Sequence, residues 1–162
     1  MDHGRRDGHA QGGGRQPYER LLLMTALSFA AMYGLMYAMV DSLANVYNNV
    51  NQFYMTGLMA APMVIFEVLV MRSMYTDRKM NAAVLGVSAV ALVAFWFGVR
   101  EQAAVSDRQF MRSMIPHHAG AILMCGQNEL EDPRLVELCS GIVSSQREEI
   151  AQLKAMLNEP AR

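Results

Sequence analysis

Between Phe110 and Cys125 the chain reads Phe-Met-Arg-Ser-Met-Ile-Pro-His-His-Ala-Gly-Ala-Ile-Leu-Met-Cys, a short segment dense in thioether, imidazole and thiol groups. Sulfur donors select soft ions such as Cu(I), imidazole serves either copper oxidation state, and the oxygen-rich sites of magnesium or calcium look quite different. Met111, Met114, His117, His118, Met124 and Cys125 therefore form a donor set suited to copper. The competing explanation is packing, because methionine is also a flexible core filler. Position decides between the two, so the elements that carry these residues matter.

Ser106 followed by Gln109 is a capping-box start, and an apolar pattern through Phe110, Met114 and Ile115 continues a helix to about Asn128. Glu131-Asp132-Pro133 makes a turn, with Asp132 as cap and Pro133 in the first position of a second helix. Leu135, Leu138, Ile142, Ile150, Leu153 and Leu157 recur at helical spacing until Pro160 ends it. Folding the two helices antiparallel about Asp132 sets Cys125 opposite Cys139, His118 opposite Gln146, Met114 opposite Ile150 and Met111 opposite Leu153. Met111, Met114, His118 and Cys125 share one stripe of the first helix, and the second helix presents Cys139, Gln146 and Glu149 as further candidate ligands. His117 points about a quarter-turn away from His118. Both histidines serve one site only if the helix is distorted, with Pro116 as the candidate distortion, or if a second subunit contributes. For Cys125 and Cys139 three states stay open: a disulfide, Cu(I) ligation, or buried thiols.

The rest of the chain is apolar. Leu21 to Val40 carries no charge, Phe53 to about Met71 is interrupted only by Pro62 and Glu67, and Ala82 to Val99 is again uncharged. About 20 apolar residues cross a hydrocarbon core as a helix. The expected fold is all-α, with three transmembrane helices followed by an exported antiparallel helical hairpin. Residues 1–19 read as a disordered cytoplasmic tail, 20–100 as the membrane domain and 101–162 as the hairpin domain. A cleaved signal peptide fits poorly, because the first apolar run is long and no small-residue cleavage site follows Asp41.

Arg5, Arg6, Arg15 and Arg20 precede the first span and Arg72, Arg78 and Lys79 follow the second, whereas the segment from Asp41 to Gln52 has no basic residue. By the positive-inside rule the amino terminus is cytoplasmic, which places the hairpin in a periplasmic or extracellular space, outside the cell's inner membrane. The net charge of −1 averages an apolar half with a charge-rich half, and no basic face suggests nucleic acid. Met1-Asp2-His3 has the spacing of a square-planar Cu(II) or Ni(II) site, although a cytoplasmic tail meets reduced copper. Met55, Met59 and Met63 fall four apart, and Glu67 is an intramembrane acid close to Arg72, within reach of snorkelling and local pairing.

Phe110, the Met114-Ile115-Pro116-His117-His118 run, Ala121-Ile122 and Met124, followed by Pro133, Leu138, Ile142, Gln146, Glu149-Ile150 and Met156-Leu157, resemble the domain of unknown function 305 family. The resemblance covers about the last third of the chain. It implies half of a ferritin-like four-helix bundle, copper or silver binding through Met and His, and metal tolerance or trafficking rather than turnover. One hairpin instead of two implies a homodimer or higher oligomer that completes the bundle, because a domain of two helices buries little surface alone. Enzymatic activity is not expected: there is no nucleophile-base-orienter set, and the paired Glu-x-x-His elements of di-iron oxidases are missing. The leading expectation is a membrane-anchored copper-binding protein that buffers the ion or hands it on, with any copper-trafficking partner unidentified. A Cu(I)-conducting membrane oligomer and a metal-free assembly module are the alternatives.

Overall fold

The computed structural model describes residues 15–160, so the Met1-Asp2-His3 motif and most of the amino-terminal tail lie outside the described residues. Five α-helices follow in order: α1 Gln16–Leu35, α2 Val50–Val70, α3 Arg78–Arg100, α4 Asp107–Gln127 and α5 Pro133–Asn158. Two 3-10 turns, Met36–Met39 and Leu43–Asn45, connect α1 to α2. The described residues contain no strand, and three helices are long and apolar enough to cross a membrane. The first helix begins earlier than expected. Pro17 in its opening turn and Glu19 at its positive end favour helix over the tail conformation assigned to residues 15–19.

In the three-helix unit α2 is the middle element, packed on α1 on one side and α3 on the other. Small residues let α2 and α3 approach: the ring of Phe95 occupies the space where a Cβ of Gly57 would stand, and the ring of Tyr54 lies 3.1 Å from that of Gly98. At one end of the unit Leu21, Val64, Val68 and Tyr75 form a cluster. Tyr18 ties α1 to α3 there, its hydroxyl donating to Asn81 Oδ1 at 2.8 Å. Glu67 finds its partner in Tyr75, whose hydroxyl donates to Oε1 at 3.4 Å, rather than in Arg72.

The hairpin stands at the opposite end. Its helices start where the sequence indicated: Ser106 accepts from the Gln109 amide, and Asp132 accepts from that of Arg134. Ile115, Ala119, Ile122, Ile150, Leu153 and Leu157 form the core between α4 and α5, and Val40 and Tyr47 from the α1–α2 connection pack against it. Polar contacts reinforce the docking. Gln109 Oε1 accepts from the Val50 amide at 3.2 Å, and Lys154 Nζ donates to Asn45 Oδ1 at 2.6 Å.

A hairpin of two helices leaves a side of its core open, and here the same chain covers part of it. A Cβ on Gly120 would meet the Met39 carbonyl oxygen at 3.4 Å, so the small residues Ala119 and Gly120 receive the chain's own 3-10 turn.

Candidate metal centre

The helix α4 runs unbroken through Pro116, so successive side chains keep their 100° spacing and the two histidines part company. His118 is buried at 8% exposure, whereas His117 is exposed. Their ring centroids lie 5.9 Å apart.

His118 Nε2 donates to Glu149 Oε2 at 2.8 Å, and the second Glu149 oxygen accepts from the Ser145 hydroxyl, also at 2.8 Å. A carboxylate only accepts, so in the neutral ring the proton sits on Nε2 and the Nδ1 lone pair faces inward. Nδ1 is buried without a hydrogen-bond partner. A buried unsatisfied nitrogen costs about 1–3 kcal/mol unless something binds it. A histidine that ligates a metal characteristically gives its other N–H to a carboxylate, which fixes tautomer and ring orientation. His118 and Glu149 have that arrangement.

The pair borders a cavity of about 200 Å3 lined also by Phe110, Met114, Gln152, Leu153 and Met156. Two thioethers, a carboxylate and an imidazole thus share one space. Among the described residues no group of three His, Cys, Asp or Glu side chains converges, here or elsewhere.

The register differs from the expected one by about one helical turn at this level. His118 meets Glu149 rather than Gln146, because side chains lean toward the amino terminus of their own helix. In an antiparallel pair His118 leans away from the hairpin turn and Glu149 leans toward it. At the turn the simple alignment holds: Cys125 and Cys139 are joined in a disulfide, with Cα atoms 5.3 Å apart. Their assignment as metal ligands is corrected accordingly, since sulfur spent in a disulfide offers no thiolate.

The remaining candidate residues scatter. Met111 packs against the hairpin core. Met124 and His117 line a second cavity beside the three-helix unit, and Gln146 lines neither. Met156, which lines the same cavity as His118, was not among the ligands expected from the sequence.

The model of the family described as Domain of unknown function (DUF305) matches residues 67–157. The chain belongs to that family. The family segment begins inside α2 and includes α3, so it reaches beyond the last third of the chain that the His pair and the second helix had indicated. The chain is also similar to the uncharacterized protein L153 of Acanthamoeba polyphaga mimivirus, 32% identical over 142 residues, covering 86% of this chain and 91% of that protein. That alignment is longer than the family segment, so the likeness extends outside it. No solved structure matches.

Proposed function

We propose that this DUF305 protein is a membrane-anchored copper- or silver-binding protein that buffers the ion and passes it on. The observation that carries the reading is His118: buried, oriented by Glu149 through Nε2, with Nδ1 unpartnered in the hairpin beside the cavity that Met114 and Met156 line. His118 would hold the ion through Nδ1, with thioether sulfur from Met114 and Met156 adding soft donors that favour Cu(I). The protein's work in this reading is binding and release.

The basic residues support an orientation. Arg15 and Arg20 at the start of α1 and Arg72, Arg78 and Lys79 around the α2–α3 turn belong to the end that Tyr18 ties together, opposite the hairpin. With that end in the cytoplasm the hairpin is on the periplasmic or extracellular side of the inner membrane. Leu135, Val136 and Leu138 on the solvent side of α5 are exposed, which suits contact with a second copy. An ion-conducting oligomer is the second reading, favoured by one observation: Met59, Met63 and Met71 line a groove together with Glu67 along α2.

Titration of the purified full-length protein with Cu(I) and with Cu(II) tests the proposal. The expected result is stoichiometric binding that His118→Ala weakens at least tenfold and that Met80→Leu, remote from the hairpin, leaves unchanged. Equal affinity of His118→Ala and the parent removes the assignment. A reporter active in the cytoplasm when fused after Arg162 overturns the orientation.

A further inference from the structure

Between the 3-10 turn after α1, the first turns of α2 and the middle of α4 lies a chamber of about 420 Å3. Five of the chain's 15 methionines line it: Met36 and Met39 from the turn, Met55 from α2, and Met114 and Met124 from α4. His117 lines it as well. No Lys, Arg, Asp or Glu is among the described residues of its wall.

Methionine used as a gap filler closes gaps. Here five converge on one that stays open, and Met39, Met55 and Met124 are 57%, 38% and 52% exposed. The other polar side chains of the wall are largely engaged. The Tyr37 hydroxyl donates to the Tyr47 carbonyl and Gln52 Nε2 to the Tyr33 carbonyl, both at 2.8 Å. The Thr56 hydroxyl lies 3.5 Å from Met36 Sδ, but its one proton has a closer acceptor in the Gln52 carbonyl at 2.8 Å, which leaves the thioether lone pairs available. Asn51, also on the wall, has a buried Oδ1 without a partner.

We propose that this chamber is a second binding site, for a soft monovalent cation, Cu(I) or Ag(I), held by thioethers of the three-helix unit and of the hairpin together with the His117 imidazole. A divalent ion would bring two charges into a space without a counter-charge, and hard cations need oxygen ligands and keep their water. Thioethers with one imidazole match a soft monovalent ion. The identity of the ion rests on the copper reading above, while the residues differ from those of the His118 site except for Met114. That methionine lines both cavities. Its flexible side chain makes it the donor common to the two sites, and an ion moving from the three-helix unit to the hairpin passes it.

The test uses the full chain in lipid nanodiscs, its methionine methyls labelled with carbon-13, titrated with Ag(I) as a redox-inert probe. The methyl signals of Met36, Met39, Met55, Met114 and Met124 should move on binding, and that of Met80 should not. The variant carrying Met36→Leu, Met39→Leu and Met55→Leu should lose one Ag(I) equivalent, or bind it at least tenfold more weakly, while the His118 ion remains. Leucine conserves the volume of methionine, and retention of the disulfide and of the gel-filtration profile checks the fold. Should the triple variant fail that check, His117→Ala at an exposed position replaces it, with the same expected loss. Unmoved chamber methyls at saturating Ag(I), or variants that bind like the parent, overturn the chamber and leave the His118 reading standing. A parent that binds no Ag(I) overturns both, and loss of all binding in His118→Ala overturns the chamber alone.

Discussion

Glu149 is the residue at which the metal reading is most exposed to refutation. Replacing it by Gln keeps size and retains an oxygen that can accept from His118 Nε2, but removes the charge. Replacing it by Leu removes the acceptor as well. Loss of such an outer partner typically costs 10–100-fold in metal affinity, about 1.4–2.7 kcal/mol. The Glu149 side chain is 44% exposed, so water already screens much of its charge and the Gln variant belongs at the lower end, near tenfold. The Leu variant belongs near a hundredfold, because it frees the ring to change tautomer and leaves the N–H at Nε2 unpaired in a side chain only 10% exposed. Competition of the full-length protein against a chromophoric Cu(I) chelator reads both values, and thermal melts without metal read stability separately. If both variants compete as well as the parent while only their melting temperatures fall, the His118–Glu149 hydrogen bond is a structural clasp and His118 is no ligand.

Replacing Cys125 and Cys139 together by Ser should lower stability by about 3 kcal/mol, the loop-closure value for a bridge across a separation of 14 residues, and leave copper affinity within about twofold of the parent. A tenfold loss of affinity at unchanged stability would instead make the sulfurs ligands. Gly57→Leu should destabilise the three-helix unit by about 1–3 kcal/mol, measured by denaturation in detergent, since its side chain must displace the Phe95 ring; an unchanged midpoint would refute the close approach of α2 and α3. Arg134 holds the Asp132 carboxyl below the usual carboxylate range, through its side chain and its backbone amide. A lowered folded-state value stabilises above the unfolded value and the benefit is lost as pH falls through the folded one, so circular dichroism should show α5 fraying only below about pH 4. Asp132→Ala should abolish that pH dependence, and a transition that persists in the variant would assign it elsewhere.

The three long apolar helices were readable because uncharged runs of that length leave few alternatives, and the hairpin turn was readable because Asp132 and Pro133 punctuate it. That Cys125 faces Cys139 also followed from equal heights about the turn, whereas the choice among disulfide, Cu(I) ligation and buried thiols did not. His118 and Glu149 did not, for heights along a helix axis ignore the opposite lean of side chains on antiparallel helices. The methionine chamber was beyond reach for a different reason. Met36, Met39 and Met55 meet Met114 and Met124 only because the α1–α2 connection folds into 3-10 turns over α4, and nothing local in Met36–Met39 signals its tertiary partner.

That connection changes what the adjacent histidines can mean. Had α4 stood free, His117 and His118 would be two donors on a solvent-facing stripe, separated only by an angle. With Val40 and Tyr47 packed on the hairpin core and the Met39 carbonyl against Gly120, α4 instead has one side toward the three-helix unit and another toward α5. His117 falls on the first and His118 on the second. A single step along a helix therefore separates two chemical environments, one rich in thioethers and uncharged, the other holding a carboxylate. Met114, one turn earlier, borders both. In the proposed copper reading the two histidines therefore serve different sites, and Met114 is the donor those sites share.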